Sequence, residues 1–372
     1  MIDNTWLLLA ILVVCASISI YLGEKTKIGN KLGSIIIALV LGMILTNLNL
    51  IPAWSDVHGM VTTYLIGIAI PLFLFKVNFK KIIKLGPKLL LAFILGSIGV
   101  FVGAFIAAFF FDVGAETWKV YGAFAATNTG GSVNLAAVGN GLGISSSAFA
   151  AMSATDVIIF FFYMIFIISA GKIPFIRKSF KTSEEMGISI DIDTEKSKIK
   201  KTNLVAISIE FGAAVAVAAL GDWIGNLVGI PGVIFTTIFA LILAGTTKIS
   251  EMTEEGEKIG SFFFNIFMVV IGSTAVFADI IVAGPTMLIA DAVILVVHLL
   301  VIFIFGKLFN LPFDYIIMGS SGNFGGPTTA APIALSYGYK NMVAPGILTG
   351  LMGIALGTFS GYGLAYILQS IL

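Results

Sequence analysis

The sequence predicts an all-α polytopic membrane protein made of two inverted repeats, each with five transmembrane helices and one Gly-Gly hairpin. Three observations predict it. Of 372 residues, 58% are hydrophobic and 11% charged, and the mean hydropathy is +1.06. Soluble domains carry about a quarter charged residues, and no soluble interior hides this much apolar surface, so the bilayer is the solvent. Two series of apolar segments flank one polar stretch, and the fifth segment of each series contains a Gly-Gly pair. The distribution of basic residues then orients the chain.

In chain order, the first series lies near 6–22, 33–50, 60–77, 89–111, 118–139 and 146–171. The opening Met-Ile-Asp-Asn-Thr-Trp lacks the basic region of a cleaved signal peptide, so 6–22 reads as the first span of the mature protein. The second series lies near 203–221, 230–247, 258–281, 284–306, 313–335 and 342–370. Residues 172–202, with Arg177, Lys178, Lys181, Glu184, Glu185, Asp191, Asp193, Glu195 and Lys196, form a solvated linker. The domain reading is a first repeat over 1–171, the linker over 172–202 and a second repeat over 203–372.

The duplication rests on Asn128-Thr129-Gly130-Gly131 and Asn323-Phe324-Gly325-Gly326, each followed by small residues and an Ala pair. A shift of 195 residues superposes these stretches and roughly aligns the other segments. Helix breakers at membrane depth are tolerated only where protein or water satisfies the backbone, so each stretch is either a re-entrant hairpin or a broken spanning helix. Basic residues discriminate. With segments five and eleven re-entrant and the linker inside, 20 of the 21 basic residues are cytoplasmic and only Lys119 is outside. With both spanning, the best orientation collects 12 of 21, so the positive-inside rule selects the re-entrant topology. Five spans per repeat invert the second repeat. One hairpin enters from each side, the tips meet near the midplane, the linker is cytoplasmic and both termini are extracytoplasmic.

The hairpins carry the candidate solute site: Asn128, Thr129, Gly130, Gly131, Ser132, Asn134, Ser321, Asn323, Gly325, Gly326, Thr328 and Thr329. Gly exposes backbone N–H and C=O groups, and the amides and hydroxyls are neutral donors and acceptors suited to a carboxylate or a partly dehydrated cation. Close helix packing through small residues is the competing reading. Asp156, preceded by Ser153 and Thr155, stands ten residues into its segment, roughly 15 Å deep at about 1.5 Å per residue. An ionised carboxylate there costs about 2.5–3.5 kcal/mol unless compensated, which suits coupling to Na+ or H+; its counterpart 195 residues on is Leu351. Thr155, Glu210 and Asp291 complete the candidate coupling set. Glu210 either faces the cavity or anchors the two repeats. Asp291 and His298, two helical turns apart, either form a proton relay or face other helices as polar groups. His58 reads as a solvated loop side chain. Phe109–Phe111, Phe160–Phe162 and Phe262–Phe264 read as lipid-facing or packing surface.

Composition removes other classes. A net charge of +1 gives no general attraction for nucleic acid. One cysteine, Cys15, and two histidines exclude a disulfide framework and make a Cys or His metal centre unsuitable, and no cofactor is expected. No Walker, His-Glu-x-x-His or Gly-x-Ser-x-Gly motif occurs. Asp156 and Asp291 lack the sequence setting of an intramembrane aspartyl protease, so the chain is not read as an enzyme. A channel suits two oppositely oriented hairpins less well than alternating access.

The stretch Ala126-Thr127-Asn128-Thr129-Gly130-Gly131-Ser132-Val133-Asn134, with Thr155-Asp156, Pro71-Leu72-Phe73-Leu74-Phe75 and Gly322-Asn323-Phe324-Gly325-Gly326-Pro327, resembles the YjcL-like membrane proteins, a family of unknown function, over essentially the whole chain. More distantly, the chain is similar to the sodium/glutamate symporters and 2-hydroxycarboxylate carriers of the cation/proton antiporter and anion transporter superfamily. That resemblance implies an elevator-type architecture, a mobile core carrying the hairpin tips past a scaffold, and a homodimer. The only Arg is Arg177, in the linker, so the chain lacks the site Arg that often anchors strongly anionic cargo. The expected function is a cation-coupled transporter of a small polar solute, such as an amino acid or monocarboxylate, in the inner membrane. The alternative is a monovalent cation/proton antiporter without an organic substrate.

Overall fold

The computed structural model describes residues 2, 4–27, 29–77, 82–188, 203–249, 252, 255–274 and 277–372. The second half of the linker, 189–202, lies outside the described residues. The helices are α1 (Thr5–Lys25), α2 (Gly29–Asn47), α3 (Asp56–Leu74, with a π turn at 61–65), α4 (Pro87–Phe110), α5 (Thr117–Gly130), α6 (Ser132–Gly141), α7 (Ser146–Ser169) and α8 (Pro174–Ser179). They continue as α9 (Leu204–Val228), α10 (Gly232–Thr246), α11 (Glu255–Thr274), α12 (Phe277–Leu308), α13 (Phe313–Phe324), α14 (Gly326–Ser336) and α15 (Val343–Gln369). No strand occurs among the described residues.

Among the described residues, seven helices are long and apolar enough to cross a bilayer, within α1, α3, α4, α7, α9, α12 and α15. The apolar parts of α2 (Gly33–Asn47) and α10 are shorter, and α11 opens on Glu255 and Glu257. Local signals set several ends. Asn4 and Asn203 cap α1 and α9 by accepting from Leu7 N and Val205 N, Pro87 starts α4, and Gly229 closes α9 in the left-handed conformation. Gly284-Pro285, at the start of the apolar segment read over 284–306, lies inside α12, which begins at Phe277, and α11 ends at Thr274 rather than near 281. A membrane helix absorbs a proline because neighbouring groups satisfy the freed carbonyl.

The two halves repeat one order of elements. Shifting the starts of α5, α6 and α7 by 195 residues gives 312, 327 and 341, against observed starts at 313, 326 and 343. In space the halves interleave. Helices α1, α2, α3, α9, α10 and α11 pack into one bundle, and α4 to α7 with α12 to α15 pack into another. The main contacts between bundles are those of α7 with α2 and α11, and of α6 and α15 with α3 and α10.

Helices α5 and α6 fold back on each other at Gly131 (φ 87°, ψ 177°), and α13 and α14 do so at Gly326 (φ 65°). Both angles lie where a Cβ is strained, which is why glycine stands at each break. The arms close at their bases. Glu116, before α5, accepts from Ser145 N at 2.9 Å and Ser145 Oγ at 2.7 Å, just after α6. In the second hairpin the rings of Phe313 and Tyr337 pack edge to face at 5.8 Å. Tyr337 Oη also donates to Ile167 O and accepts from Gly171 N. The two bases therefore lie at opposite ends of α7. The linker grips the second: Phe313 N donates to Lys181 O, and Asp314 accepts from Ser183 N and Oγ.

Helix α15 forms the bed for both hairpins. A Cβ on Gly353 would stand 2.5 Å from both Gly322 O and Thr129 O, and one on Gly357 would stand 2.8 Å from Ala126 O. Small residues thus let three backbones cross at a distance larger side chains forbid. Helices α4 and α12 cross in the same way, with Gly99 against the His298 Cα and Gly103 against the Ile294 Cα.

His58 corrects an expectation. It is fully buried rather than solvated: one ring nitrogen pairs with Ser55 Oγ at 2.7 Å and the other with Ser273 Oγ at 2.9 Å. His58 lies in the first turn of α3 rather than in a loop, and it ties the start of α3 to the end of α11.

Candidate functional site

A cavity of about 620 Å³ opens between the two bundles. Gly131 and Ser132 line it at the first hairpin break, and Gly325 and Thr329 at the second. From α7 come Ser153 and Asp156, from α2 come Gly33 and Ser34, and from α11 come Phe264 and Met268. Gly33 (φ 78°) interrupts α2, so this wall also carries open backbone. Each wall follows from a local sequence feature: glycine breaks on three sides and the small polar residues around Asp156 on the fourth.

Asp156 is half-buried, near the middle of α7, and its Oδ1 accepts from Thr127 Oγ1 at 3.3 Å. The next hairpin residue, Asn128, donates its amide to Asp291 Oδ1 on α12 at 2.6 Å. Asp156 and Asp291 stand within electrostatic reach of each other, so two consecutive hairpin residues hold two carboxylates, one from each half of the chain. Asp291 is 0% exposed and is not part of the cavity wall.

The candidate solute residues divide in two. Gly131, Ser132, Gly325 and Thr329 face the cavity. Asn128, Thr129, Asn134, Ser321 and Asn323 are enclosed. Asn134 Oδ1 accepts from Thr358 Oγ1 at 2.9 Å, tying α6 to α15. Asn323 packs on α4, with its amide oriented to donate to Gly319 O and accept from Ser97 Oγ at 2.8 Å. Gly130 lies on the Gly353 backbone and Gly326 makes the second break. The side chain of Thr328 lies outside the described residues. Thr129 Oγ1, Asn134 Nδ2, Ser321 Oγ and Asp291 Oδ2 are buried with no hydrogen-bond partner among the described residues.

Of the candidate coupling residues, the structure brings Asp156 and Asp291 together and not the others. The Thr155 hydroxyl donates to Met152 O within its own helix. Glu210 sits in the other bundle, where its Oε2 accepts from Gly256 N in the first turn of α11. That carboxylate satisfies a free N–H and the positive end of a helix, an anchoring arrangement. The relay between Asp291 and His298 does not form. His298 pairs with Gly96 O at 2.9 Å and Ser320 Oγ at 2.8 Å, and Ser320 in turn meets Tyr163 Oη at 3.1 Å. This chain pins α12 to α4, α13 and α7 with both ring nitrogens occupied. Arg177 pairs with Glu185 at 2.7 Å in the linker, away from the cavity, and holds that carboxyl below its usual range.

Sequence reasoning missed several residues. Thr127 belongs to the hairpin motif without an assigned role, and its hydroxyl was available as the signal. Gly33 and Ser34 were visible as a break at the start of the second apolar segment. Phe160, Phe161 and Phe264, read as lipid-facing or packing surface, also line the cavity, because its apolar wall is the same surface that seals the bundles.

Comparison with known proteins bears on the chain as a whole. A family profile described as "Protein of unknown function (DUF819)" matches residues 10–371. The chain is also 28% identical to the "Uncharacterized membrane protein YjcL" of Bacillus subtilis (strain 168), over 96% of each chain. The resemblance to the YjcL-like proteins is thereby shown, and the chain is a membrane protein with several candidate spans.

Proposed function

The chain belongs to the DUF819 family, and from that premise we propose that it is a cation-coupled secondary transporter of a small polar solute. One observation carries the reading: a cavity of amino-acid-accommodating size lies between two bundles, at the point where both hairpin breaks and Asp156 converge. The bundle with both hairpins is the mobile core and the other is the scaffold, an elevator arrangement. The cavity at their boundary is where cargo sits. Hairpin bases at opposite ends of α7 support entry from opposite membrane faces, and hence inverted repeats of five spans each.

The chemistry of the wall narrows the cargo. Asp156 is the only charged side chain on it among the described residues, and Ser132, the first residue of α6, lines it, so the N-terminus of that helix opens beside the cavity. A zwitterion fits both features, with an ammonium toward Asp156 and a carboxylate at the helix N-terminus. An amino acid is therefore preferred over a dicarboxylate. An aspartyl-protease reading needs both carboxylates on one cavity wall, and Asp291 is not among the residues lining it. The proposed topology has a cytoplasmic linker and both termini outside, in the inner membrane, and the proposed assembly is a homodimer.

Two experiments test this. Single-cysteine labelling at Lys119, Lys340 and the linker, in a Cys15-free background, is expected to find Lys119 outside and the others inside; an external linker removes the inverted-repeat topology. Purified protein in a panel of amino acids and organic acids, with and without Na+ and at two pH values, is expected to gain thermal stability from one solute class in a cation-dependent manner. Because Asp156 is the sole charge on the wall among the described residues, a monovalent cation/proton antiporter is the second reading. It predicts stabilisation by cation alone and indifference to every solute.

A further inference from the structure

We propose that Asp291 is the seat of a dehydrated alkali cation of the Na+ class, enclosed behind the first hairpin and reached from the cavity past Asp156. The proposal rests on the transporter reading and assigns its coupling site. The geometry is a row: Asp156, Thr127, Asn128 and Asp291, joined by hydrogen bonds from two consecutive hairpin residues. Asp156 meets the cavity at one end, while Asp291 at the other is fully enclosed.

Asp291 Oδ1 is engaged by the Asn128 amide, and Oδ2 has no partner among the described residues. No Lys or Arg forms an ion pair with it among those residues, and the neighbouring carboxylate of Asp156 adds negative charge. Tyr121 also faces Asp291, but its hydroxyl is committed to Phe111 O. Such a carboxylate at membrane depth requires a positive partner.

Neighbouring groups distinguish a metal cation from a proton. A proton needs one acceptor, whereas Na+ needs a shell of hard oxygens. The hairpin crossing supplies neutral oxygens that nothing else uses. Thr129 Oγ1, beside Asn128, is 1% exposed and Ser321 Oγ is 0% exposed, and neither has a partner among the described residues. The carbonyls of Thr129 and Gly322 converge on the bare Cα of Gly353, each 2.5 Å from where a Cβ would stand. Oxygens from both hairpins thus lie at one crossing, next along the chain from the Asn128 that holds Asp291.

The test is thermal unfolding of the purified full chain, titrated with NaCl against choline chloride at constant ionic strength and fixed pH. Na+ is expected to raise the parent's midpoint saturably, Asp291→Asn is expected to abolish the shift, and Asn128→Ala and Ser321→Ala are each expected to raise the half-saturating Na+ concentration at least ten-fold. Asp156→Asn should keep a saturable shift. If Asp291→Asn does not fold, the Asn128 and Ser321 variants decide, and unchanged half-saturation in both overturns the assignment. So does a parent midpoint that follows pH and ignores Na+. If Asp291→Asn leaves Na+-driven solute uptake intact while Asp156→Asn stops it, this seat is wrong and the transporter reading stands.

Discussion

Replacing Gly353 with alanine is expected to cost about 3 kcal/mol or more, the upper range of overpacking in a closed core. The new Cβ would stand 2.5 Å from Gly322 O, 2.5 Å from Thr129 O and 3.0 Å from the Gly130 Cα. Those contacts are backbone atoms of both hairpins, so no side-chain rotation relieves them. Either α15 retreats or the tips separate, and separation distorts the cavity. Gly363→Ala on the same helix is the comparison, because its Cβ meets nothing within 4 Å and Gly363 is exposed. That change is expected to stay within about 0.5 kcal/mol of the parent. Thermal unfolding of the two variants side by side reads the contrast, and equal midpoints would remove the claim that both hairpins rest on Gly353.

The same crossing shows what sequence could and could not supply. Gly130-Gly131 and Gly325-Gly326, inside apolar segments and abutting small polar residues, announced two helix breaks, and the structure places turns at Gly131 and Gly326. Asp156 was legible by depth alone, since a carboxylate ten residues into an apolar segment has few reasons to be there. The pairing of Asn128 with Asp291 was not legible. It joins residues 163 positions apart on different halves, and no periodicity in either segment encodes which helix crosses which hairpin. The interleaving of the halves into two bundles is hidden for a related reason: apolar faces that pack on helices and those that face lipid have the same composition. His58 failed because it opens a helix rather than a loop, and its burial depends on Ser273, which is 215 residues away. Glu210 was an open choice between cavity and anchor until the first turn of α11 appeared against it.

Asp156→Asn is expected to leave the fold intact and to stop coupled transport. The amide is isosteric and its Oδ1 still accepts from Thr127 Oγ1, so the hairpin keeps its contact. Removing a charge from membrane depth relieves a burial cost of about 2.5–3.5 kcal/mol, so the thermal midpoint should equal or exceed the parent's. Function moves the other way. On the proposed function, cargo and cation pass Asp156, the only charged group on the cavity wall among the described residues. Loss of a charged contact worth about 1.5–3 kcal/mol, at about 1.4 kcal/mol per tenfold, lowers gradient-driven uptake about ten- to a hundred-fold. Uptake of the solute found in the stability panel, measured in proteoliposomes with an imposed cation gradient, tests both halves of the expectation. A variant that is stable but inactive places Asp156 on the route of the coupling ion. A variant that transports like the parent and keeps its cation dependence takes the coupling role from Asp156. A variant that loses its fold shows a structural carboxylate, held for Thr127 and not for an ion.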